Sequence, residues 1–385
     1  MVKAGERMTD LEHILPLWNE LEGAKADYVL ATVVAVEGSS YRRPGARMLL
    51  AQDGRRAGTV SGGCLEGEVA KRAWWLTSKG PVVERYSTLE DDGDLPYGSG
   101  CGGVVYILLE RRSTASRLLH ALKAAWDVRG PLAIATVLDG PHMGQRAFAG
   151  TPMPQANGTA PVEVPLQELA EEAFALRASL DRRIEIAGTG TRVWADYRAA
   201  RPGLWIFGAG DDARPLLKLA RELGWFVAIA DGRSHLVTAA RFPAADQIRV
   251  LKIEDLPGAE RPPLLPTDAA VLMTHSFEQD SHILAALMSV AHEFPYAYLG
   301  VLGPQRRTRE ALAEAARLKG RKVEGGDVET WLAKLHAPTG IDLGADTSPS
   351  IALSILAEIQ QALNVATGLP LRQVRATGPA VASLS

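Results

Sequence analysis

LWIFGAGDDARPLLKLARELGWFVAIAD, residues 204–231, reads as an apolar strand, a glycine turn, an amphipathic helix and a second apolar strand. Gly208 permits the tight turn, Gly210 lets a backbone approach a pyrophosphate, and Ala213 allows close helix packing. Asp231 ends the second strand, where a carboxylate accepts ribose hydroxyls and favours NAD over NADP, with Arg233 two residues on to soften that preference. Asp211 and Asp212 argue the other way, because they put negative charge where the positive end of the helix would meet an anion. A doubly wound fold that keeps the turn without a nucleotide is the alternative.

The pattern continues downstream. IRVL, AAVLM and YAYLGVL are further short apolar strands, with helices between and a last helix, Pro349 to Leu363, behind the cap residues Thr347 and Ser348. Alternation of this kind implies a parallel sheet covered on both faces. Thr274-His275 and Gly300 to Gly303 follow strands, at the carboxyl ends where such sheets bind ligands. His275 is the candidate acid–base residue, a structural hydrogen-bonding role being its other reading.

Upstream of Ala200 to Gly203 the reading changes. Tyr28 to Val36 and Arg47 to Ala51 are strands, the second followed by the Asp53-Gly54 turn, and strands recur at Val104 to Glu110, Leu132 to Leu138, Gln145 to Ala149, Arg183 to Ala187 and Arg192 to Tyr197. Helices are expected from the Thr9–Glu12 capping box onward, over Leu65 to Ser78, and between Ser113 and Arg129. Thr151 to Pro165, with four prolines and a glycine, reads as a surface loop. The fold class is therefore α/β, with an α+β domain over 1–200 and a Rossmann-like doubly wound parallel sheet over 201–385.

The chain's 385 residues carry 42 Lys and Arg against 45 Asp and Glu, a net charge of -3, which gives no field to gather nucleic acid or anionic lipid. No signal-like h-region or run of about 18 apolar residues occurs, so a cytoplasmic protein is expected. Two cysteines are too few for a disulfide framework or an all-cysteine zinc site. Both lie among glycines, Cys64 after Gly62-Gly63 and Cys101 before Gly102-Gly103. Such loops expose backbone amides and admit a ligand, and a thiolate at a helix start is a better nucleophile or soft-metal ligand. A redox or sulfur-carrying pair and thiolates that contact molybdenum or another soft centre both fit. Arg42, Arg43 and Arg47 flank the loop Gly38 to Gly45 and have the chemistry to hold phosphate or pterin oxygens, exposed loop arginines without a ligand being the other reading.

GSSYRRPGARMLL, SGGCLEGEV, GCGG, the stretch from Phe207 to Arg233, MTHSFEQD, YLGVLGPQRR and APTGIDLGADTSPSIALSILAEI together resemble the XdhC/CoxI family over nearly the whole chain. The resemblance implies an accessory chaperone of molybdenum hydroxylases. Such a protein binds molybdenum cofactor (molybdopterin) and assists its sulfuration and insertion into a xanthine dehydrogenase or carbon monoxide dehydrogenase type apo-enzyme. It places Cys64 and Cys101 in the family's glycine–cysteine loops and Gly208, Gly210, Asp231 and Arg233 in its Rossmann half. Where many members have a His after the second glycine, this chain has Asp211. The implied partners are the apo-hydroxylase and a cysteine desulfurase, with a homodimer expected and no nucleic acid or membrane. The competing reading is an NAD(P)-dependent oxidoreductase that uses the Rossmann domain and His275, which leaves the cysteine half without a task. A cleft shared by both cysteines, facing the Rossmann strand ends, is the expected active surface.

Overall fold

The computed structural model describes residues 10–38, 40–63, 65–87, 103–150, 162–256, 262–288, 294–324 and 326–376. The chain divides into two compact units, Met1–Arg201 and Pro202–Ser385.

The first unit opens with α1 (Leu11–Gly23), β1 (Tyr28–Gly38), β2 (Arg47–Ala51), β3 (Arg56–Gly58), α2 (Glu66–Leu76), β4 (Val82–Ser87), β5 (Gly103–Arg111) and α3 (Arg112–Val128). It continues with β6 (Leu132–Val137), β7 (Arg146–Gly150), α4 (Glu163–Leu176), β8 (Leu180–Ile186) and β9 (Thr189–Arg198). Two antiparallel sheets result, ordered β3-β2-β1-β5-β4 and β7-β6-β9-β8. β1 is apolar at successive positions because it is covered on both faces. Tyr28 and Leu30 pack under α1 and α3, whereas Val29, Ala31 and Val33 pack under α2. The second sheet buries Ala133, Ala135, Val193 and Ala195 beneath Leu166, Leu169 and Ala173 of α4.

Thr9 lies outside the described residues, and Asp10, at the head of α1, makes no side-chain cap; its carboxylate pairs with Arg42 instead. Beyond the proline-rich stretch strand was expected and no helix; instead α4 begins at Glu163, inside that stretch, because Pro165 falls in its first turn, where a missing N–H costs no helical bond.

The second unit contains β10 (Gly203–Phe207), α5 (Ala213–Glu222), β11 (Phe226–Asp231), β12 (Gln247–Val250), β13 (Ala269–Leu272), α6 (Phe277–Leu287), β14 (Tyr298–Val301), α7 (Gln305–Leu318), α8 (Asp327–Leu332), α9 (Ser348–Asn364) and α10 (Leu371–Ala376). All five strands are parallel, in the order β12-β11-β10-β13-β14. Trp205, Phe207, Ala228 and Leu272 pack on α6, α7 and α8, and Leu204, Ile206, Val227 and Val271 pack on α5 and α9. Strands buried on both faces need such continuous apolar runs. Thr347 caps α9 through a reciprocal bond with Ser350, and Pro349 occupies its first turn. The order of connection reverses at β10, between β11 and β13, and the crevice of a doubly wound sheet opens at that point.

Candidate functional site

Cys64, Cys101 and Gly102 lie outside the described residues, which include Gly63 and Leu65 on either side of Cys64 and resume at Gly103 after the second cysteine. Gly103 begins β5 and pairs with Gly38 at the end of β1, where the Arg42–Arg43 loop departs. Farther along that loop the ring of exposed Tyr41 lies against Gly62; a Cβ added to Gly62 would fall 2.6 Å from its Cδ1.

The glycine turn ahead of Cys64 is organised by Glu66. The N–H groups of Val60, Ser61 and Gly62 donate to its Oε1 at 3.1, 2.9 and 3.1 Å, and that of Gly63 donates to Oε2 at 2.9 Å. The Ser61 hydroxyl donates to Oε2 at 2.6 Å, and the Thr59 hydroxyl adds a short bond to Oε1. Burial by itself would raise the carboxyl's pKa, but the Ser61 and Thr59 hydroxyls and the backbone amides outweigh it and hold the value down to about 2. The loop was expected to offer its amides to a ligand, yet these four face the chain's own carboxylate. An acid directly behind consecutive glycines was the available signal in the sequence.

The three arginines of the preceding loop separate by environment. Arg47 is buried and donates to Asp196 of β9 at 2.8 Å, so it ties the two sheets together and does not face a ligand. Arg42 is half-buried between Asp10 and the carbonyl of Thr59. Arg43 is exposed, with no side-chain partner among the described residues.

In the second unit the turn after β10 has the expected shape. Gly208 has φ +129°, and a Cβ there would overlap the carbonyl of Met273. The groups a dinucleotide would meet are already engaged. Asp231 accepts from the Ala209 N–H at 2.7 Å and from the N–H, Nε and Nη2 of Arg233 at 2.9, 3.0 and 2.7 Å. Burial pushes its pKa up, and the Arg233 and backbone bonds more than reverse this, so the group stays below the usual carboxylate range. The face presented at the end of β11 is therefore the partly exposed Arg233 guanidinium.

Asp212 turns back over Gly210 and meets His275 Nε2 at 3.0 Å, which links the loops after β10 and β13 across the switch point. Asp211, largely exposed, pairs with Arg241 at 3.0 Å. His275 has φ +61°, a conformation uncommon for a side-chain-bearing residue. Its neighbours enforce it. Thr274 donates to buried Asp280 at 2.7 Å, Asp280 pairs with Arg307 at 2.7 Å, and Ser276 caps α6 through the Gln279 N–H. Backbone strain held by surrounding bonds is a mark of functional positions.

Gly300 is occupied from within. A Cβ there would lie 2.5 Å from Thr339 Oγ1 and 2.7 Å from the Tyr298 ring, so the glycine makes room for the segment that follows His336. Glu358 gathers that segment, accepting from Tyr298 Oη at 2.5 Å, His336 Nδ1 at 2.9 Å and the Gly340 N–H at 2.6 Å. His336, Glu358, Asp280 and Arg307 had no role in the sequence reading because their partners are brought together only by the fold.

The geometry defines a class: a Rossmann-type parallel unit, its crevice bridged by an acid–imidazole pair, in one chain with an antiparallel α+β unit that carries glycine–cysteine loops. The chain belongs to the XdhC and CoxI family. Residues 22–87 match the model for the XdhC and CoxI family, and residues 204–359 match that for the XdhC Rossmann domain. It is 30% identical over 340 residues to a protein of Bacillus subtilis named as a probable xanthine dehydrogenase subunit, covering 86% of this chain and 92% of that one. It is 26% identical over 343 residues to the molybdenum cofactor insertion chaperone PaoD of Escherichia coli, covering 86% and 82%. A crystal structure described as a xanthine dehydrogenase from Bacillus halodurans superposes with a TM-score of 0.66 at 26% identity, over 96% of this chain and 98% of that one. Among the described residues no helix is long and apolar enough to cross a membrane.

Proposed function

We propose that this chain is a maturation accessory protein of xanthine dehydrogenase-type molybdenum hydroxylases: it receives molybdenum cofactor, shelters it during sulfuration by a cysteine desulfurase and delivers it to the apo-enzyme. The observation that carries the reading is the Glu66-centred turn, which fixes the main chain on both sides of a cysteine in a family whose member PaoD is a cofactor insertion chaperone. A soft thiolate suits molybdenum, and exposed Arg43 suits a cofactor phosphate. Cys64 and Cys101 would contact the cargo as thiolates, and the protein itself would carry out no turnover.

The test is purification from a cofactor-producing host, followed by pterin assay and activation of an apo-hydroxylase. Pterin should copurify. Cys64→Ser, which keeps the size of the side chain but loses the soft ligand, should lower activation by at least about tenfold with little change in thermal unfolding. A parent protein free of pterin, or a Cys64→Ser variant as active as the parent, would sink this reading.

The oxidoreductase reading has less support, because Asp231, the acceptor for ribose hydroxyls, is already taken up by Arg233 and the Ala209 N–H, and Asp212 turns back over Gly210 where a pyrophosphate would approach. Titration calorimetry should show no preference for NAD over NADP, since the buried Asp231 is covered by Arg233. A clear preference for NAD would restore Asp231 to the ribose-binding role.

A further inference from the structure

We infer that Glu66 is the positioning residue of the Cys64 loop, an internal anion that fills a built amide nest in place of a ligand's phosphate. The inference rests on the cargo-binding role given above to Cys64.

Four successive backbone N–H groups, from Val60 to Gly63, converge on one carboxylate. That convergence needs main-chain angles few side-chain-bearing residues adopt, and Gly62 and Gly63 supply them at φ +93° and +126°. Concave arrangements of this kind bind anions in many proteins. Here the anion is attached to the chain two residues after the thiol, and it is only 6% exposed, so water does not compete for the donors. Beyond Cys64 the Leu65 N–H donates to Ser61 Oγ at 2.8 Å, and the same hydroxyl donates to Glu66 Oε2. The main chain before and after Cys64 is therefore tied to a single group. An incoming ligand meets a turn whose amides from Val60 to Gly63 are already engaged by Glu66, so those amides are not what recognises it. The glycines serve the nest more than they serve ligand access.

A site built around an anion can be tested by taking that anion away and returning it in solution. Glu66→Ala and Glu66→Gln are made in the full-length chain with Cys101→Ser, so that a maleimide reports only Cys64, and formate is the probe. Glu66→Ala should change the labelling rate of Cys64 by about tenfold and lower the melting temperature. Formate should reverse both changes saturably, and chloride at equal ionic strength should not. Glu66→Gln, which fills the volume with a neutral amide, should resist rescue.

A Glu66→Ala protein that labels and melts like the parent overturns the inference, as does equal recovery with chloride. If Glu66→Ala does not stay folded in plain buffer, formate-dependent folding becomes the readout, and its absence is equally decisive against the nest. These readouts need no cofactor. A parent that carries no pterin would therefore refute the carrier reading while leaving the role of Glu66 to be judged on formate alone.

Discussion

Asp196→Ala should destabilise the first unit by about 3–5 kcal/mol, the cost of leaving buried guanidinium groups without their counter-charge. Asp196 accepts from Arg47 Nη2 and Arg198 Nε, each at 2.8 Å, and all three side chains are at most 5% exposed. One carboxylate thus serves two buried cations. Burial already presses the Arg47 pKa below its usual value, with Asp196 as the main opposing influence. Further guanidinium bonds bend round the preceding turn, from Arg47 Nη1 to the Gly45 carbonyl at 3.0 Å and from Arg198 Nη2 to the Pro44 carbonyl at 3.2 Å. The same cluster therefore joins β2 to β9 and shapes the loop that presents Arg43. For a unit of this size the loss corresponds to a fall of roughly 10 °C in melting temperature. A change below about 1 kcal/mol in chemical denaturation would show that the carboxylate is dispensable.

The cluster also shows where the sequence stops being legible. Arg47 and Asp196 are 149 residues apart, and nothing local distinguishes Arg47 from Arg42 or Arg43. All three read as loop arginines, though only Arg43 is open to a ligand. The Rossmann strands were readable because burial on both faces demands long apolar runs, and Gly208 was readable because its turn is local. Asp231 was found, but its role was obscured by Arg233, whose guanidinium closes over it from two residues away. Glu66 went unassigned for a different reason. Its chemistry depends on the direction of backbone N–H groups, which a sequence specifies only through the φ of its glycines.

The two fingerprint glycines look equivalent in sequence, yet they should respond unequally to alanine. Gly208→Ala places a methyl group at φ +129°, against the Met273 main chain, with the carbonyl carbon at 2.7 Å and the Thr274 nitrogen at 3.1 Å. Neither atom can yield without disturbing the contact between β10 and β13 or the turn that strains His275. Strain and overpacking together should cost about 2–4 kcal/mol. Gly210 has no positive φ, and a Cβ there meets only the carboxylate end of Asp212. That side chain can rotate away. Gly210→Ala should therefore stay within about 1 kcal/mol of the parent in stability while it breaks the bond from Asp212 to His275. Chemical denaturation measures the first difference, and the proton resonances of the His275 ring report the second. If Gly210→Ala proves as costly as Gly208→Ala, Asp212 is fixed over the turn, and the pyrophosphate position is closed by structure and not by a movable side chain.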